Sequence, residues 1–295
     1  MHLNIFLNRR LAESDMIKKY KMKKKYIFFA LGLILLLFLS KIFYNFRTHL
    51  KTESIIAVID SGIDLNALQP YLFQNRKETP NNQIDDDLNG YVDDVNGWNY
   101  FDNNSDVSDF SGHGTKVTQI IVENKNQIKI LPIKIVKRNA GIRLNDITQA
   151  IEYAMSFNAK IINFSFGVQI DQDGQKKDAE QLENQINHLH EAIIKAKENG
   201  ICLVSAQAFL IKNPYQLKSK LKTYPQNFEE VLVIGTDKSS DYDSLDHLNF
   251  VVKNAKSSSF AAAKVSGILA DLISKDPNQT CQELIPFLQE KLADL

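Results

Sequence analysis

The chain has 295 residues, of which 44% are hydrophobic and 24% charged, and its 35 Lys and Arg balance 35 Asp and Glu. This composition is typical of a globular protein and excludes wholesale disorder, a collagen-like repeat and a polytopic membrane protein. A neutral chain offers no overall basic surface, so we expect no nucleic-acid partner. The charge is nevertheless uneven, because residues 1–53 carry a net charge of +8 and the remainder carries −8.

The N-terminal segment combines a basic stretch with an apolar one. Residues 1–25 are rich in Lys and Arg, and an uninterrupted apolar run, Ile27–Leu39, follows them. A membrane span needs about 20 residues, and residues 26–44 approach that length with Lys41 near one end. The pattern favours an uncleaved transmembrane signal-anchor; a cleaved secretory signal peptide and a buried helix are the alternatives.

The charge of this segment predicts its orientation. A basic flank stays in the cytoplasm, so residues 1–25 form the cytoplasmic tail and residues 45–53 form a linker on the other side. We therefore expect a membrane-anchored protein whose domain, residues 54–295, is extracytoplasmic. If the signal is cleaved, the domain is secreted instead.

From Ser54 onward, short β-branched runs alternate with helical patterns, which indicates a parallel sheet covered by helices. Pro132 stands at the head of the second predicted strand, where a missing ladder donor is tolerated. The candidate strands are Ile55–Ile59, Ile133–Val136, Ile161–Ser165, Ile201–Ser205 and Val231–Gly235. The sequence thus predicts a single α/β domain.

Four helices are predicted between and after these strands. Asn145 has the character of an N-cap for the first of them, whose apolar residues recur at helical spacing. The others are Ala179–Asn199, a helix from Ser259 to about Ser274, and a final amphipathic helix, Gln279–Leu292.

The chain has two cysteines, Cys202 and Cys281. Two are too few for a disulfide framework, and the domain is long enough to bury a core without one. One bridge between them is possible, but we expect two unpaired thiols.

Three segments carry residue types used in catalysis. Asp60 ends an apolar strand, and open α/β sheets place functional groups at the carboxyl ends of their strands. His113 lies between Gly112 and Gly114 ahead of a helical stretch, and Ser259 opens a helix of small residues. Each segment alone is a weak signal, because isolated residues of these types are usually structural.

Taken in the order Asp, His, Ser, the three segments resemble the subtilisin-like serine peptidase family. Further segments strengthen the likeness, which covers nearly all of residues 54–295: Leu131–Ile135, Ile161–Gly167, and Tyr224-Pro225 with Val231–Gly235. The resemblance implies a three-layer α/β/α fold with a mainly parallel central sheet. One N-terminal transmembrane or signal helix would precede this domain.

The resemblance also implies the roles of particular residues. Ser259 corresponds to the nucleophile, His113 to the general base and acid, and Asp60 to the group that orients the imidazole. This division is chemically sound, because serine is a weak nucleophile without a base and the base needs its tautomer fixed. The residues implied to bind substrate are Ser165, Phe166, Gly167, Ser205 and Ala206.

The sequence departs from the family pattern most seriously at the oxyanion hole. The family uses an Asn side chain in an Ala-Ala-Gly-Asn turn, whereas here the strand leads into Ser205-Ala206-Gln207-Ala208. Gln207 offers the same amide donor on a longer stem, and we expect it to serve. Asn213 is the alternative if residues 208–212 are an insertion; otherwise the donor is absent.

An acidic loop precedes His113. Oxygen-bearing residues occupy positions 1, 3, 5, 7 and 9 of a calcium-loop pattern, and Gly90 at position 6 permits the sharp turn. These residues are Asp85, Asp87, Asn89, Tyr91 and Asp93. Position 12 is Asn96 instead of the usual Glu, which weakens the match. We expect Ca²⁺ as a cofactor, and a solvated acidic turn is the alternative.

These observations predict a serine endopeptidase that hydrolyses peptide or protein substrates. The alternative is a catalytically silent pseudopeptidase that binds peptides or partner proteins. The Asp, His and Ser residues favour the enzyme, and the missing Gly-Asn favours the alternative. An assembly or export accessory protein is a further possibility that the sequence does not separate.

Overall fold

The computed structural model describes residues 24, 32–41, 53–125, 127–136, 141–171, 179–208, 221–237 and 248–293. The chain divides into two units, Met1–Lys51 and Thr52–Leu295. In the first unit residues 32–41 are helical, and the side chains of Leu33 to Leu39 are exposed. Within the described residues, no helix has the length and apolarity to cross a membrane. Most of the predicted tail, anchor and linker lies outside the described residues.

The second unit is built on a seven-stranded sheet in the order β2-β3-β1-β4-β6-β8-β9, in which every pairing is parallel. A separate antiparallel pair joins β5 and β7. The strands are β1 Ser54–Asp60, β2 Trp98–Asn99, β3 Ile128–Lys134, β4 Ile161–Phe164, β5 Val168–Asp171, β6 Cys202–Ala206, β7 Leu221–Tyr224, β8 Leu232–Thr236 and β9 Phe250–Val252. The predicted mainly parallel sheet is confirmed.

Helices cover both faces of this sheet. Along β1, Ile56 and Val58 belong to the core on one face, while Ala57 and Ile59 belong to the core on the other, as the two-residue strand period requires. The first core contains α1 His113–Val122, α4 Ser258–Lys275 and α5 Cys281–Ala293; the second contains α2 Leu144–Ser156 and α3 Ala179–Glu198. A short 3₁₀ helix spans Gln69–Tyr71. The architecture therefore has three layers.

Strand β3 differs most from the prediction, because it begins at Ile128 and contains Pro132 in its interior. A Cβ at Gly97 would lie 2.0 Å from the Pro132 carbonyl oxygen, so that carbonyl faces the β2 side of the strand. The backbone nitrogen and the carbonyl oxygen of one strand residue point to the same side of the strand. The N–H that Pro132 lacks would therefore face β2 and not β1. The long β1–β3 ladder is therefore intact, and proline is tolerated here.

The prediction that Asn145 caps α2 is wrong. The cap position belongs to Arg143, and the helix begins at Leu144. The Arg143 Nε donates to the buried carboxylate of Asp146 at 2.7 Å, which fixes the first turn without a side-chain cap on a backbone amide.

The prediction of two unpaired thiols is also wrong, because Cys202 and Cys281 form a disulfide. Cys202 begins β6 and Cys281 begins α5, and their Cα atoms lie 5.2 Å apart across a separation of 79 residues. Helix α4 packs against both β6 and α5, and this packing brings the two cysteines together.

Candidate active site

Asp60 is the last residue of β1 and lies at the carboxyl edge of the sheet, where only 3% of its surface is exposed. Its Oδ1 accepts hydrogen bonds from the Ser61 backbone amide at 2.7 Å and from His113 Nδ1 at 2.8 Å. A carboxylate can only accept, so Nδ1 of the imidazole carries the proton and Nε2 is left as the basic nitrogen. The structure therefore brings together two of the three residues that the sequence singles out.

His113 begins helix α1, and Gly114 lets this helix approach the Asp60 turn. A Cβ at Gly114 would lie 2.1 Å from the Gly62 carbonyl oxygen and 3.1 Å from the Asp60 Cβ. A side chain at this position would push the start of the helix away from β1. The glycine after the histidine thus permits the short contact between His113 and Asp60.

Asp109 holds the loop that leads into this helix. Its Oδ1 accepts from the Ser61 hydroxyl at 2.8 Å and from the backbone amides of Ser111 and Gly112 at 2.9 and 3.0 Å. Its Oδ2 accepts from the backbone amide and the hydroxyl of Thr115 at 2.9 and 2.6 Å. Burial acts to raise the pKa of Asp109, but these hydrogen bonds outweigh it, so the pKa lies below its ordinary value. The carboxylate joins the β1 turn to the start of α1.

Ser259 lies in the first turn of α4, where backbone amides have no partner within the helix. Its hydroxyl donates to the Ser165 carbonyl at 3.2 Å, immediately after β4. Further along the helix, the Ser266 hydroxyl donates to the Asn163 side chain of β4 at 3.0 Å. These two bonds lay α4 along β4 and fix the position of Ser259 at the edge of the sheet.

Phe260 connects the serine to the histidine. Its ring is stacked on the His113 imidazole with centroids 6.4 Å apart and planes at 23°. Among the described residues the Ser259 hydroxyl bonds to Ser165, and its neighbour Phe260 meets the imidazole. The residue that follows Ser259 on α4 therefore packs against the imidazole at the start of α1.

The electrostatics of the site raise the pKa of the His113 imidazole. The hydrogen bond from His113 to Asp60 raises the pKa of the imidazole above its ordinary value, against the opposing effect of burial. The negative charges of Asp60 and Asp109 add to this effect. A proton taken up by this imidazole is thus stabilised, which is what a general base requires.

The residues predicted to bind substrate lie at the ends of two adjacent strands. Ser165, Phe166 and Gly167 follow β4, and Ser205 and Ala206 end β6. The structure adds one residue that the sequence did not indicate. Gln226 Nε2 donates to the Phe166 carbonyl at 2.6 Å, the Ser205 hydroxyl at 2.8 Å and the Ala206 carbonyl at 2.9 Å. This glutamine reaches the ends of β4 and β6 because the chain turns back towards them after β7.

Gln207 lies directly after β6 and is buried. Its carbonyl accepts from the Ser258 hydroxyl at 2.8 Å. A Cβ at Gly235 would lie 2.5 Å from Gln207 Oε1, so the amide oxygen faces β8. The Ser259 hydroxyl faces Ser165, the residue after β4, and β4 and β8 lie on opposite sides of β6. The role of Gln207 as an oxyanion donor stays a prediction.

The acidic loop gathers three carboxylates. Single oxygen atoms of Glu78, Asp85 and Asp87 all lie within 4.8 Å of one another. Glu78 is only 6% exposed, and it precedes the loop that the sequence pattern singled out. Its two oxygens accept from the backbone amides of Asp87 and Asp93 at 3.1 and 3.0 Å. Glu78 therefore holds two positions of the loop, although it precedes the loop in the sequence.

The other predicted ligands have different surroundings. The Asn89 side chain accepts from the Tyr91 amide at 2.8 Å and donates to Asp94 at 3.0 Å. The Tyr91 hydroxyl shares a hydrogen bond with Tyr100 at 2.7 Å. Both oxygens of Asp93 accept from backbone amides, those of residues 82 and 83. The structure groups carboxylate oxygens of Asp85 and Asp87 with Glu78, whereas the carboxylate of Asp93 accepts from backbone amides.

The structure shows a carboxylate–imidazole pair at the carboxyl edge of a parallel sheet, and a neighbouring helix carries Ser259 in its first turn. The family model described as the subtilase family matches residues 51–236, more than half of the chain. The chain therefore belongs to the subtilase family. The matched segment includes Asp60 and His113 and ends before Ser259.

Individual relatives agree with this membership. The chain is similar to subtilisin-like protease 1 of Plasmodium vivax, with 26% identity over 280 residues, covering 81% of this chain and 44% of that protein. A thermophilic serine proteinase of Bacillus sp. (strain AK1) is 32% identical over 122 residues, covering 38% of this chain and 25% of that protein. The chain thus spans less than half the length of these curated relatives.

Solved structures share the fold. A lanthipeptide protease superimposes with a TM-score of 0.60 at 16% identity, covering 83% of this chain and 84% of that chain. The nisin leader peptidase NisP from Lactococcus lactis superimposes with a TM-score of 0.56 at 19% identity, covering 81% of both chains. At these identities the likeness establishes the fold alone.

Proposed function

We propose that this protein is a serine endopeptidase in which Ser259 attacks the peptide carbonyl, His113 transfers the proton and Asp60 orients the imidazole. The observation that carries the proposal is the 2.8 Å bond from His113 Nδ1 to Asp60 Oδ1, on an imidazole stacked against the residue after Ser259. Family membership supports a peptidase, and the substrate class that follows is a peptide or protein chain.

The chemistry follows from the protonation of the imidazole. With Nδ1 donating to Asp60, Nε2 accepts the proton of the Ser259 hydroxyl during attack and returns it to the leaving amine. The hydroxyl must first leave the Ser165 carbonyl, which a rotation about its χ1 angle allows. Hydrogen bonds of this kind are often long in free enzymes and tighten when substrate binds. The Ser259 amide lies in the first helical turn, where amides have no partner within the helix, and we assign it as a donor to the developing oxyanion.

A fluorophosphonate probe tests this proposal directly, because it reacts with a serine that a neighbouring base activates. We expect the wild-type protein to be labelled and Ser259→Ala to remain unlabelled. The matched control is Ser274→Ala, which removes an exposed hydroxyl from the same helix. Equal labelling of wild type and Ser259→Ala would refute the proposal.

A silent pseudopeptidase that binds peptides or partner proteins is the second candidate. Two observations favour it: the Ser259 hydroxyl is bonded to a backbone carbonyl, and the Gln207 amide oxygen faces β8. Loss of one oxyanion donor costs about 10²–10³-fold in turnover in subtilisin, so a missing side-chain donor slows such an enzyme without silencing it. Probe labelling that is absent in the wild type, with peptide binding retained, would favour the pseudopeptidase.

We also propose that the acidic loop binds Ca²⁺ through Glu78, Asp85 and Asp87. The donor set fits this ion, because Ca²⁺ takes carboxylate oxygens. Glu78 is buried and has no Lys or Arg within ion-pair distance among the described residues, so a cation would offset its charge. The ion would hold the loop to the domain and takes no part in the acyl transfer.

Removal of calcium should therefore lower the melting temperature. At a calcium concentration about 100 times the Kd, binding stabilises the folded state by about 2.7 kcal/mol. We expect EDTA to remove this stabilisation from the wild type and to have little effect on Glu78→Gln. Glu180→Gln, which changes an exposed glutamate at the start of α3, is the matched control and should respond as the wild type does. Equal melting temperatures with and without EDTA would leave the loop as a solvated acidic turn.

We propose, finally, that residues 26–44 anchor the protein to a membrane with the domain outside the cytoplasm. The apolar run and its basic flank support this. We expect the full chain expressed in cells to stay in the membrane fraction after alkaline carbonate extraction. Release by carbonate into the soluble fraction would contradict the anchor, and a mature protein that begins near residue 45 would indicate a cleaved signal.

A further inference from the structure

Helix α1 begins after a residue whose side chain cannot cap it. The first four backbone amides of a helix have no partner within it, and the residue at the cap position usually supplies a side-chain acceptor. Here the cap position is Gly112, which has no side chain and adopts a left-handed φ of 78°. The Lys116 amide donates to the Gly112 carbonyl at 3.1 Å. The amides of residues 112–115, which include that of His113, therefore need acceptors from outside the helix.

One carboxylate and two hydroxyls accept these amides. Asp109 accepts from the Gly112 amide through Oδ1 at 3.0 Å and from the Thr115 amide through Oδ2 at 2.9 Å. The two amides between them donate to the hydroxyls of Ser111 and Ser61, each at 3.1 Å. The first turn of α1 is thus capped at both ends by a side chain that precedes the helix, and in its middle by a residue of the turn after β1.

Asp109 also determines how two hydroxyls are oriented. A carboxylate only accepts, so the Ser61 and Thr115 hydroxyls, at 2.8 and 2.6 Å from its two oxygens, each direct their hydrogen towards it. The oxygen of Ser61 then accepts from the Gly114 amide of α1. The oxygen of Thr115 accepts from the Asp64 amide, in the turn after β1, at 2.9 Å. The β1 turn and α1 are therefore joined in both directions, and both links depend on the ionised carboxylate.

These links lie next to the bond between His113 and Asp60. Ser61 directly follows Asp60 and Gly114 directly follows His113, so the bond between the Ser61 hydroxyl and the Gly114 amide is one residue along each element from the 2.8 Å bond between Nδ1 and Oδ1. Ser61 is also buried, with 2% of its surface exposed. A shift of the first turn of α1 would therefore change the distance between the imidazole and its carboxylate.

We propose that Asp109 is a positioning residue for the reaction assigned to Ser259. It acts through His113, because it fixes the first turn of α1 against the β1 turn and so holds the imidazole at hydrogen-bonding distance from Asp60. An ionised carboxylate is required, since an amide of the same shape would direct its N–H groups at one of the two sets of donors. This inference rests on the proposed function, because it concerns the proton transfer that His113 performs there.

Asp109→Asn tests the proposal, because it keeps the shape of the side chain and removes one acceptor. We expect kcat for a quenched fluorescent peptide to fall by about 10–100-fold with little change in KM, since a displaced base slows the chemical step and leaves substrate binding intact. The matched control is Asp106→Asn. It changes an exposed carboxylate of the same loop that accepts only from Ser108 and should retain the wild-type kcat.

Ser61→Ala separates position from charge. It removes one of the two links between the β1 turn and α1 and alters no charged group. We expect a fall in kcat of the same kind as in Asp109→Asn but smaller, because the link through Thr115 is retained. If Asp109→Asn does not fold, Ser61→Ala still decides.

A second measurement does not need turnover. The proton on His113 Nδ1 is held by a buried carboxylate, so in the wild type it should exchange slowly and give a low-field proton signal in NMR spectra. His113→Ala identifies this signal by removing it. We expect Asp106→Asn to keep the signal, and Asp109→Asn and Ser61→Ala to weaken it or move it upfield.

The inference is overturned if Asp109→Asn keeps the wild-type kcat, if its loss appears in KM instead, or if the wild type lacks the signal or both variants leave it unchanged. Wild-type turnover that depends on Ser259, combined with an unchanged signal, would refute the inference alone. A wild type without turnover would refute the proposed function. A signal lost in both variants would then still support the role of Asp109 in holding His113, and a retained signal would overturn it.

Discussion

Replacement of Ser259 by alanine should lower peptide turnover by about 10⁶-fold, the size of effect known for the nucleophile of subtilisin. His113→Ala should cost a similar factor, because the serine is a weak nucleophile without its base. The double variant should be no slower than either single variant, since each substitution already removes the whole nucleophilic step. Hydrolysis of a quenched fluorescent peptide library measures the turnover of all three variants.

The matched control is again Ser274→Ala, which should retain wild-type turnover. Losses for Ser259→Ala and His113→Ala that multiply in the double variant would show two residues that act independently. Such a result would contradict the proposed triad even if both single variants were slow.

Asp60→Asn should lower turnover by about 10⁴-fold, because an amide in place of the carboxylate favours the wrong tautomer of the imidazole. It should also change the pH profile. The base acts when neutral, so kcat/KM of the wild type falls as the pH drops through the pKa of His113. This pKa is raised chiefly by the bond to Asp60, which places the midpoint above the ordinary histidine value of about 6.5.

In Asp60→Asn the main cause of the raised pKa is lost while the lowering effect of burial remains. The midpoint of the acid limb should therefore move to lower pH, as measured by kcat/KM between about pH 5 and 9. Asp64→Asn is the control, because this exposed carboxylate caps the neighbouring turn with one oxygen that asparagine retains. An unchanged midpoint in Asp60→Asn would mean that the carboxylate does not set the pKa of His113.

The sequence was sufficient to predict the parts of the fold that depend on local patterns. Apart from β3, the predicted strands agree with the observed ones to within one residue, and the helices after Ala179 agree to within two. Asp60 and His113 each end or begin a regular element, but their pairing was expected from the family resemblance and not from a local pattern. The bounds of these strands and helices are determined by residues close together in the chain.

The features that the sequence did not indicate depend on contacts that no local pattern marks. Glu78 lies just before the calcium-loop pattern and outside it, so the pattern does not identify it as part of the acidic cluster. Gln226 reaches Phe166 across 60 residues, and no local pattern marks it. Cys202 and Cys281 have no characteristic spacing, so their pairing depends on how α4 packs against β6 and α5. Such tertiary contacts produce no periodic pattern of residues in the sequence.

The disulfide makes the attachment of the C-terminal helix depend on the cellular compartment. It joins the first residue of α5 to the first residue of β6, and α5 otherwise contributes only two fully buried side chains, Leu284 and Leu288. In a compartment where glutathione keeps thiols reduced, this link would be absent and the last helix would be held by those leucines and their neighbours. An oxidising environment is therefore the setting in which the C-terminal helix is covalently secured, as the proposed extracytoplasmic location requires.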